Sequence, residues 1–377
     1  MIPDDITQAV LARKDVARYL RGGHGQSEGE ARERIEGYLD ELRTTQRYPI
    51  YRALKHPLYP ILRKVERIDE HVDLAQQAAR DGRVIYVSNH KSHLDYLVEP
   101  LILDDAGIRP PVTAAGINLF GGPLGLLHRH VTGAIPIRRN TKDPAYLVTL
   151  KAYVAELLQR SDLLFYIEGG RSYTGELKAP KTGLLHAAIH AEVERAVVVP
   201  MAVAYDIVLE DHLLPHAATN RRRAKPFGRE VAEMVRYAVG YQTRAFVSFG
   251  RPIPLSGYDT ESRREVMDLA HQIRDTIGTL YKVLPTAVVA AAMRPATSRR
   301  DLEARADQIL EAVALAGGNL SVTSGREAVE AGAPMLAARN IIHVERGGRV
   351  RVRERTVLRY YARTIQHLLV PRRARTH

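Results

Sequence analysis

The chain of 377 residues carries 55 Lys and Arg against 43 Asp and Glu, a net charge of +12, with 45% hydrophobic residues and no cysteine. That balance supports a packed core and excludes wholesale disorder, disulfides, thiolate nucleophiles and cysteine-bound metals. The basic excess favours a polyanionic partner: anionic lipid head groups, nucleic acid or a phosphate-rich substrate.

No apolar core follows the N-terminal Met1-Ile2-Pro3-Asp4-Asp5, so a secretory signal is not expected. No run of roughly 18 apolar residues occurs, so neither is a spanning helix. The nearest approach, Val112 to Leu127, is broken by Gly116, Asn118, Gly121, Gly122 and Pro123. A chain of this kind that acts on lipid lies on the membrane rather than through it. The lack of cysteine suits a reducing cytoplasm.

Residues 1–75 read as a helical region. Ile35, Tyr38, Leu39 and Leu42 recur at helical spacing, and Pro49, Pro57 and Pro60 then break the pattern. Over residues 76–260, short β-branched runs alternate with helical stretches. Candidate strands are residues 83–88, 111–115, 134–137, 163–167, 197–205 and 244–249, with helices near 93–105, 143–160 and 182–194. This alternation predicts an α/β fold with a central, mostly parallel sheet flanked by helices. The apolar run Ala196–Ala204 fits a strand buried on both faces. Residues 261–377 read as mostly helical. Leu302, Ala306, Ile309 and Val313 mark one amphipathic helix, Ile341–Glu345 and Arg349–Arg353 form a basic hairpin about Gly347-Gly348, and a last helix covers residues 355–369.

Four short blocks carry chemistry. Asn89-His90-Lys91-Ser92-His93-Leu94-Asp95 follows the strand ending at Ser88. His90 and Asp95 would stand about 140° apart on one ideal helix. They meet if His90 sits in the strand-to-helix turn and Asp95 in the first helical turn, at the sheet edge where α/β enzymes bind ligands. A neutral imidazole there can accept a hydroxyl proton while the carboxylate holds its tautomer. Ser92-x-x-Asp95 also fits an ordinary capping box, and His93 is the weaker candidate base. The second block, Gly133 to Arg139, ends a short strand on Arg138 and Arg139, guanidinium groups suited to a phosphate. A solvated strand end has the same pattern. The third, Phe165 to Ser172, runs a strand into Glu168-Gly169-Gly170-Arg171-Ser172. Glycines let backbone N–H groups approach an anion, Arg171 adds charge, and Glu168 can accept from a polyol. An ordinary tight turn is the plainer reading. The fourth is Val199-Pro200-Met201-Ala202, a proline inside an apolar strand that marks an edge, a bulge or a site-shaping bend.

In this order the blocks resemble the glycerolipid acyltransferase superfamily, marked by His-x-x-x-x-Asp, and most of all its PlsB-type glycerol-3-phosphate acyltransferases. Ala114–Leu119, Pro180-Lys181-Thr182-Gly183 and Tyr360–Leu369 look like that subgroup as well. The resemblance covers residues 75–260 and, more loosely, the C-terminal end. It implies that His90 is the general base and Asp95 its partner. Arg138, with Arg139 beside it, matches the acceptor-binding arginine. Glu168, Gly169, Gly170, Arg171 and Ser172 match the acceptor-binding block, and Pro200 matches the fourth. The implied reaction moves a fatty acyl group from acyl-CoA or acyl-carrier protein to the sn-1 hydroxyl of glycerol-3-phosphate, giving lysophosphatidic acid. Backbone N–H groups would hold the oxyanion, with no cofactor, metal or covalent intermediate.

The chain departs from the subgroup at Tyr173, where a second arginine is usual; Lys181 or Lys178 can restore the charge. It is also much shorter than the long bacterial members, which carry a large N-terminal extension. Dihydroxyacetone phosphate and lysophosphatidic acid are alternative acceptors, although enzymes for the latter typically have Glu-Gly-Thr-Arg in the third block, where Gly170 stands here. A different class, a basic nucleic-acid-binding protein, is suggested by Arg221-Arg222-Arg223 and by the hairpin read as the wing of a winged helix. The resemblance further implies a cytoplasmic protein peripheral on the inner face of the cell membrane and in contact with its anionic surface. Leu119, Phe120, Leu124, Leu126 and Leu127 are expected either to face the bilayer, with Arg129 and Arg221–Arg223 as electrostatic partners, or to be ordinary core.

Overall fold

The computed structural model describes residues 3–22, 26–54, 65–120, 122–214, 243–259 and 261–370. The chain opens with four helices, α1 (Pro3–Ala12), α2 (Lys14–Arg21), α3 (Glu28–Leu42) and α4 (Tyr48–Leu54). A reciprocal cap starts α3: Ser27 N–H donates to Glu30, and Glu30 N–H to the Ser27 hydroxyl. Its apolar stripe, Ala31, Ile35, Leu39 and Leu42, is buried.

The central unit then alternates strand and helix: β1 (Val65–Glu70), α5 (Val72–Asp81), β2 (Val84–Ser88), α6 (Asp95–Asp105), β3 (Val112–Gly116), α7 (Gly122–His130), β4 (Ala134–Ile137), α8 (Pro144–Leu158), β5 (Leu163–Tyr166), α9 (Gly183–Ile189), β6 (Val197–Tyr205), β7 (Thr243–Phe249) and β8 (Ile253–Pro254). The eight strands form one sheet in the order β1-β7-β6-β2-β5-β3-β4, with β8 also on β6. Strands β2 to β6 are mutually parallel, while β7 and β8 run antiparallel to β6. All five residues of β2 and of β3 are buried, as expected for parallel strands covered on both faces. The ends of β2, β4, β5 and β6 therefore share one edge, and the four motif blocks gather there.

The expected strands appear within a residue of their predicted bounds. The helix near 182–194 is shorter, because Glu192 and Arg195 take positive φ. The helical reading of residues 1–75 misses β1, a charged edge strand paired with β7 alone, whose Val-Glu-Arg-Ile-Asp-Glu has no clean alternation. Pro200 lies where β6 changes partner, with β8 on Val197 and Val198 and β7 from Met201 onward. A proline costs little there, because no antiparallel ladder needs its missing N–H.

The C-terminal part comprises α10 (Arg263–Leu280), β9 (Lys282–Val283), α11 (Pro285–Ala292), β10 (Ala296–Ser298), α12 (Arg299–Leu315), β11 (Asn319–Leu320), α13 (Gly325–Ala338), β12 (Ile342–Val344), β13 (Arg349–Val352), α14 (Arg355–Thr364) and α15 (Gln366–Leu369). The hairpin β12–β13 gains a third strand, β10. One hydrophobic core runs from Ile35 through the central sheet to Val313 and Leu368.

Candidate active site

The turn after β2 is held from two sides before its histidine is reached. The Asn89 side chain donates to Val203 O and accepts from Val203 N–H at 3.0 and 2.7 Å, extending the β2–β6 pairing by one residue. The His90 N–H donates to Glu168 Oε1 at 3.0 Å. The imidazole Nδ1 lies 2.8 Å from Asp95 Oδ2. That oxygen also accepts from the N–H groups of Lys91 and Ser92 at 2.6 and 3.0 Å, and Oδ1 accepts from the Tyr205 hydroxyl at 2.7 Å. Asp95 thus braces the turn before α6 and orients His90 together. The capping box is not formed, because Asp95 N–H donates to the Ser92 carbonyl and not to its hydroxyl, and the N-cap Leu94 has no side-chain cap. The Tyr166 ring stacks on the imidazole, 4.0 Å between centroids and 9° from parallel.

Burial, reinforced by the charges of Arg171, His93, Arg139 and Lys178, holds His90 well below the usual histidine range. The imidazole is neutral near pH 7. With Nδ1–H donated to Asp95, Nε2 is the basic nitrogen. Burial pushes the Asp95 carboxyl upward, opposed by its hydrogen bonds from Ser92, Tyr205 and Lys91.

The glycine-rich loop closes over this pair. Glu168 accepts His90 N–H on one oxygen and Lys178 N–H on the other, so it braces two segments through the main chain. Ser172 does the same, donating its N–H to His90 O at 2.9 Å and its hydroxyl to Glu176 O at 2.6 Å. Gly169 adopts φ +67° beside Lys181, and Gly175 adopts φ +87° so close to the Tyr360 carbonyl that a Cβ would come within 2.0 Å of it. Lys91 is buried; its ammonium donates to Gly175 O at 2.6 Å and lies 5.2 Å from the centre of the Tyr281 ring.

A cavity of about 520 Å³ opens above His90. Arg138, Arg139, Gly170 and Lys181 form its polar wall, and Leu147, Leu150, Phe165 and Leu184 are among its apolar lining. The two arginines differ. Glu41 of α3 binds the Arg138 fork at Nε (2.7 Å) and Nη2, and the rings of Tyr38 and Tyr146 lie 5.0 and 5.7 Å from its guanidinium carbon. Arg138 lines the cavity as expected of an acceptor-binding residue, but in this structure its fork holds the Glu41 carboxylate. Arg139 instead turns toward the loop, its Nη1 3.2 Å from the position a Gly170 Cβ would take. Pro200 is absent from the cavity wall and serves the strand junction.

The apolar stretch after β3 divides. Phe120 packs against Tyr96, Ala115 and Ala134, whereas Leu126 is 63% exposed. Arg129 donates to the carbonyls of Asp40 and Arg43 at the C-terminal end of α3, where a cation complements the helix dipole. The side chains of Leu119, Leu124 and Leu127, and all of Arg221–Arg223, lie outside the described residues. One contributor escapes sequence reasoning: Tyr205, the last residue of β6, whose hydroxyl reaches Asp95 from 110 residues away.

Residues 69–204 match the family model described as Acyltransferase, and His90, Asp95 and the glycine-rich loop fall within that segment. Curated proteins named glycerol-3-phosphate acyltransferase align with a little over three fifths of the chain. The one from Aeromonas hydrophila is 34% identical over 246 residues, covering 63% of this chain and 30% of its own length. The one from Pasteurella multocida is 36% identical over 245 residues, covering 62% and 30%. The chain thus spans about 30% of the length of the curated relatives it matches. Among solved structures, the 1-acyl-sn-glycerophosphate acyltransferase of Thermotoga maritima matches at 15% identity with a TM-score of 0.35, covering 72% of this chain and 92% of that one.

Proposed function

We propose that this chain transfers a fatty acyl group from an acyl thioester, acyl-CoA or acyl-carrier protein, to the sn-1 hydroxyl of glycerol-3-phosphate. The observation that carries the reading is the His90–Asp95 pair, 2.8 Å apart, beneath a cavity with one cationic and one apolar wall. His90 Nε2 takes the hydroxyl proton as the oxygen attacks the thioester carbonyl. The tetrahedral intermediate collapses, the C–S bond breaks, and the imidazolium returns its proton to the leaving thiolate. The product is lysophosphatidic acid. We assign the acceptor phosphate to Arg139, Arg171 and Lys181, with Arg138 held in reserve by Glu41.

The relatives' names support glycerol-3-phosphate as acceptor. The nucleic-acid alternative gains nothing from α13: although the C-terminal helices and hairpin follow a winged-helix order, the exposed residues of its first turns are Arg326, Glu327 and Glu330, with Arg326 paired to Glu330, which leaves no basic face for a phosphate backbone. We further propose that the chain works while bound peripherally to the anionic inner face of the cell membrane. No helix among the described residues is long and apolar enough to cross a membrane.

The test incubates the full chain with acyl-CoA or acyl-carrier protein and, separately, glycerol-3-phosphate, dihydroxyacetone phosphate and lysophosphatidic acid, with products identified by mass. Lysophosphatidic acid formed from glycerol-3-phosphate is expected. Faster acylation of either other acceptor would overturn the acceptor assignment, and no turnover with any would overturn the reaction.

A further inference from the structure

Past the end of β6, the chain makes a buried turn that carries three acids, Asp206, Glu210 and Asp211. Two of them face the rest of the fold. Asp206 pairs with Arg244, and Asp211 takes Arg339 and the Tyr361 hydroxyl. Glu210 faces the site. Its Oε2 accepts from the Ser92 hydroxyl at 2.8 Å, and its Oε1 accepts from the His93 N–H at 2.8 Å. The same Oε1 lies 3.8 Å from Arg171 Nη1. One carboxylate, 3% exposed, therefore touches both the turn that carries the base and the cation of the glycine-rich loop. It lies beyond residues 69–204, the segment the family model covers.

We propose that Glu210 is a positioning residue of the transfer site, fixing the Arg171 guanidinium relative to His90. This rests on the functional reading above. A guanidinium presents five N–H donors in a planar fork, so Glu210 can hold one edge while another faces the acceptor phosphate. Arg171 has a competing neighbour, the Tyr173 ring, 5.5 Å away. Without the carboxylate, Arg171 loses one of the contacts that fix its guanidinium on the side of His90, and acceptor binding must then supply part of that ordering, which weakens it. Glu210 also repels a phosphate, so a purely electrostatic role would have the opposite sign: removing its charge would tighten the acceptor.

Two variants separate position from charge. Glu210→Asp keeps the charge but shortens the reach. Glu210→Gln keeps the reach, since its carbonyl can accept from His93 and its amide can donate to Ser92, but it loses the hold on Arg171. Each is made in the wild-type and the Arg171→Gln backgrounds, and kcat and both KM values are measured on the full chain. Both variants should lower kcat/KM for glycerol-3-phosphate about tenfold in the wild-type background and less than about twofold beside Arg171→Gln, as coupled neighbours do. The thioester KM should stay within about twofold. Equal losses in the two backgrounds, equal damage to both KM values, or a tightened acceptor KM in Glu210→Gln would overturn the proposal. Calorimetric titration with glycerol-3-phosphate gives the same coupling without turnover. A wild type that binds this acceptor but does not acylate it sinks the functional reading while leaving the role of Glu210 to be decided by the titration.

Discussion

Replacing Asp95 by Asn separates the charge of the carboxylate from its hydrogen bonds. An Asn with its carbonyl at the Oδ2 position still accepts from His90, Lys91 and Ser92, and its amide can donate to Tyr205 once that hydroxyl turns. The fold should therefore survive, with Tm within about 3 °C of wild type. What is lost is the attraction between the carboxylate and the imidazolium formed when His90 takes the proton. With charge centres about 4 Å apart and an effective dielectric near 20, that attraction is about 4 kcal/mol, or about three powers of ten in rate. Thiol release from acyl-CoA in the presence of glycerol-3-phosphate, followed at about pH 8 where Asp95 is ionised despite its burial, should show kcat reduced about 10³-fold. A loss below tenfold with an unchanged Tm would refute Asp95 as the counter-ion. Asp95→Ala supplies the contrast. It strands the buried N–H groups of Lys91 and Ser92, at about 1–3 kcal/mol each, so it should lose stability as well as rate.

The two arginines should separate in kinetics: Arg139→Lys is expected to raise the acceptor KM about tenfold, while Arg138→Lys leaves it within about threefold and lowers stability by about 1 kcal/mol through the lost fork and ring contacts. The reverse order would return the acceptor to Arg138. Burial depresses His128 to about 4, against about 6.5 in the unfolded chain. Its contribution is therefore intact above pH 6.5 and lost as pH falls toward 4, about 3 kcal/mol in all. Thermal melts across that window should show a shallower decline in His128→Gln, and parallel slopes would contradict the linkage. Leu126→Ser, at an exposed position, should leave Tm unchanged and weaken binding to anionic vesicles by a factor that salt leaves unchanged, because the lost contact is apolar, while salt weakens wild type and variant alike; sedimentation with vesicles at two salt concentrations checks it, and unaltered binding by the variant would refute it.

Legibility followed sequence distance. Strands β2 and β3 were readable because every residue is apolar or small and buried, and the His90–Asp95 pair because both partners fall within one turn. The roles of Arg138 and Arg139 were not readable. Both follow the last residue of β4 and both line the cavity, and the carboxylate that occupies the Arg138 fork, Glu41, lies 97 residues away. Glu210 was hidden for the same reason, its partners Ser92 and His93 lying 118 and 117 residues earlier. Phe120 and Leu126 belong to one apolar run, and only the packing of α7 tells the inward residue from the outward one.

The buried ammonium of Lys91 bears on how finely this molecule can be divided. A shortened version ending at residue 204 would keep all four motif blocks, yet it would remove Tyr281 from beside that ammonium and Tyr360 from against Gly175. The Lys91 charge, still joined to Gly175 O, would then sit at a raw apolar break. Such a fragment should be insoluble or inactive despite carrying the whole recognisable signature. Grafting this site onto another scaffold would require the distant tyrosines to travel with the histidine.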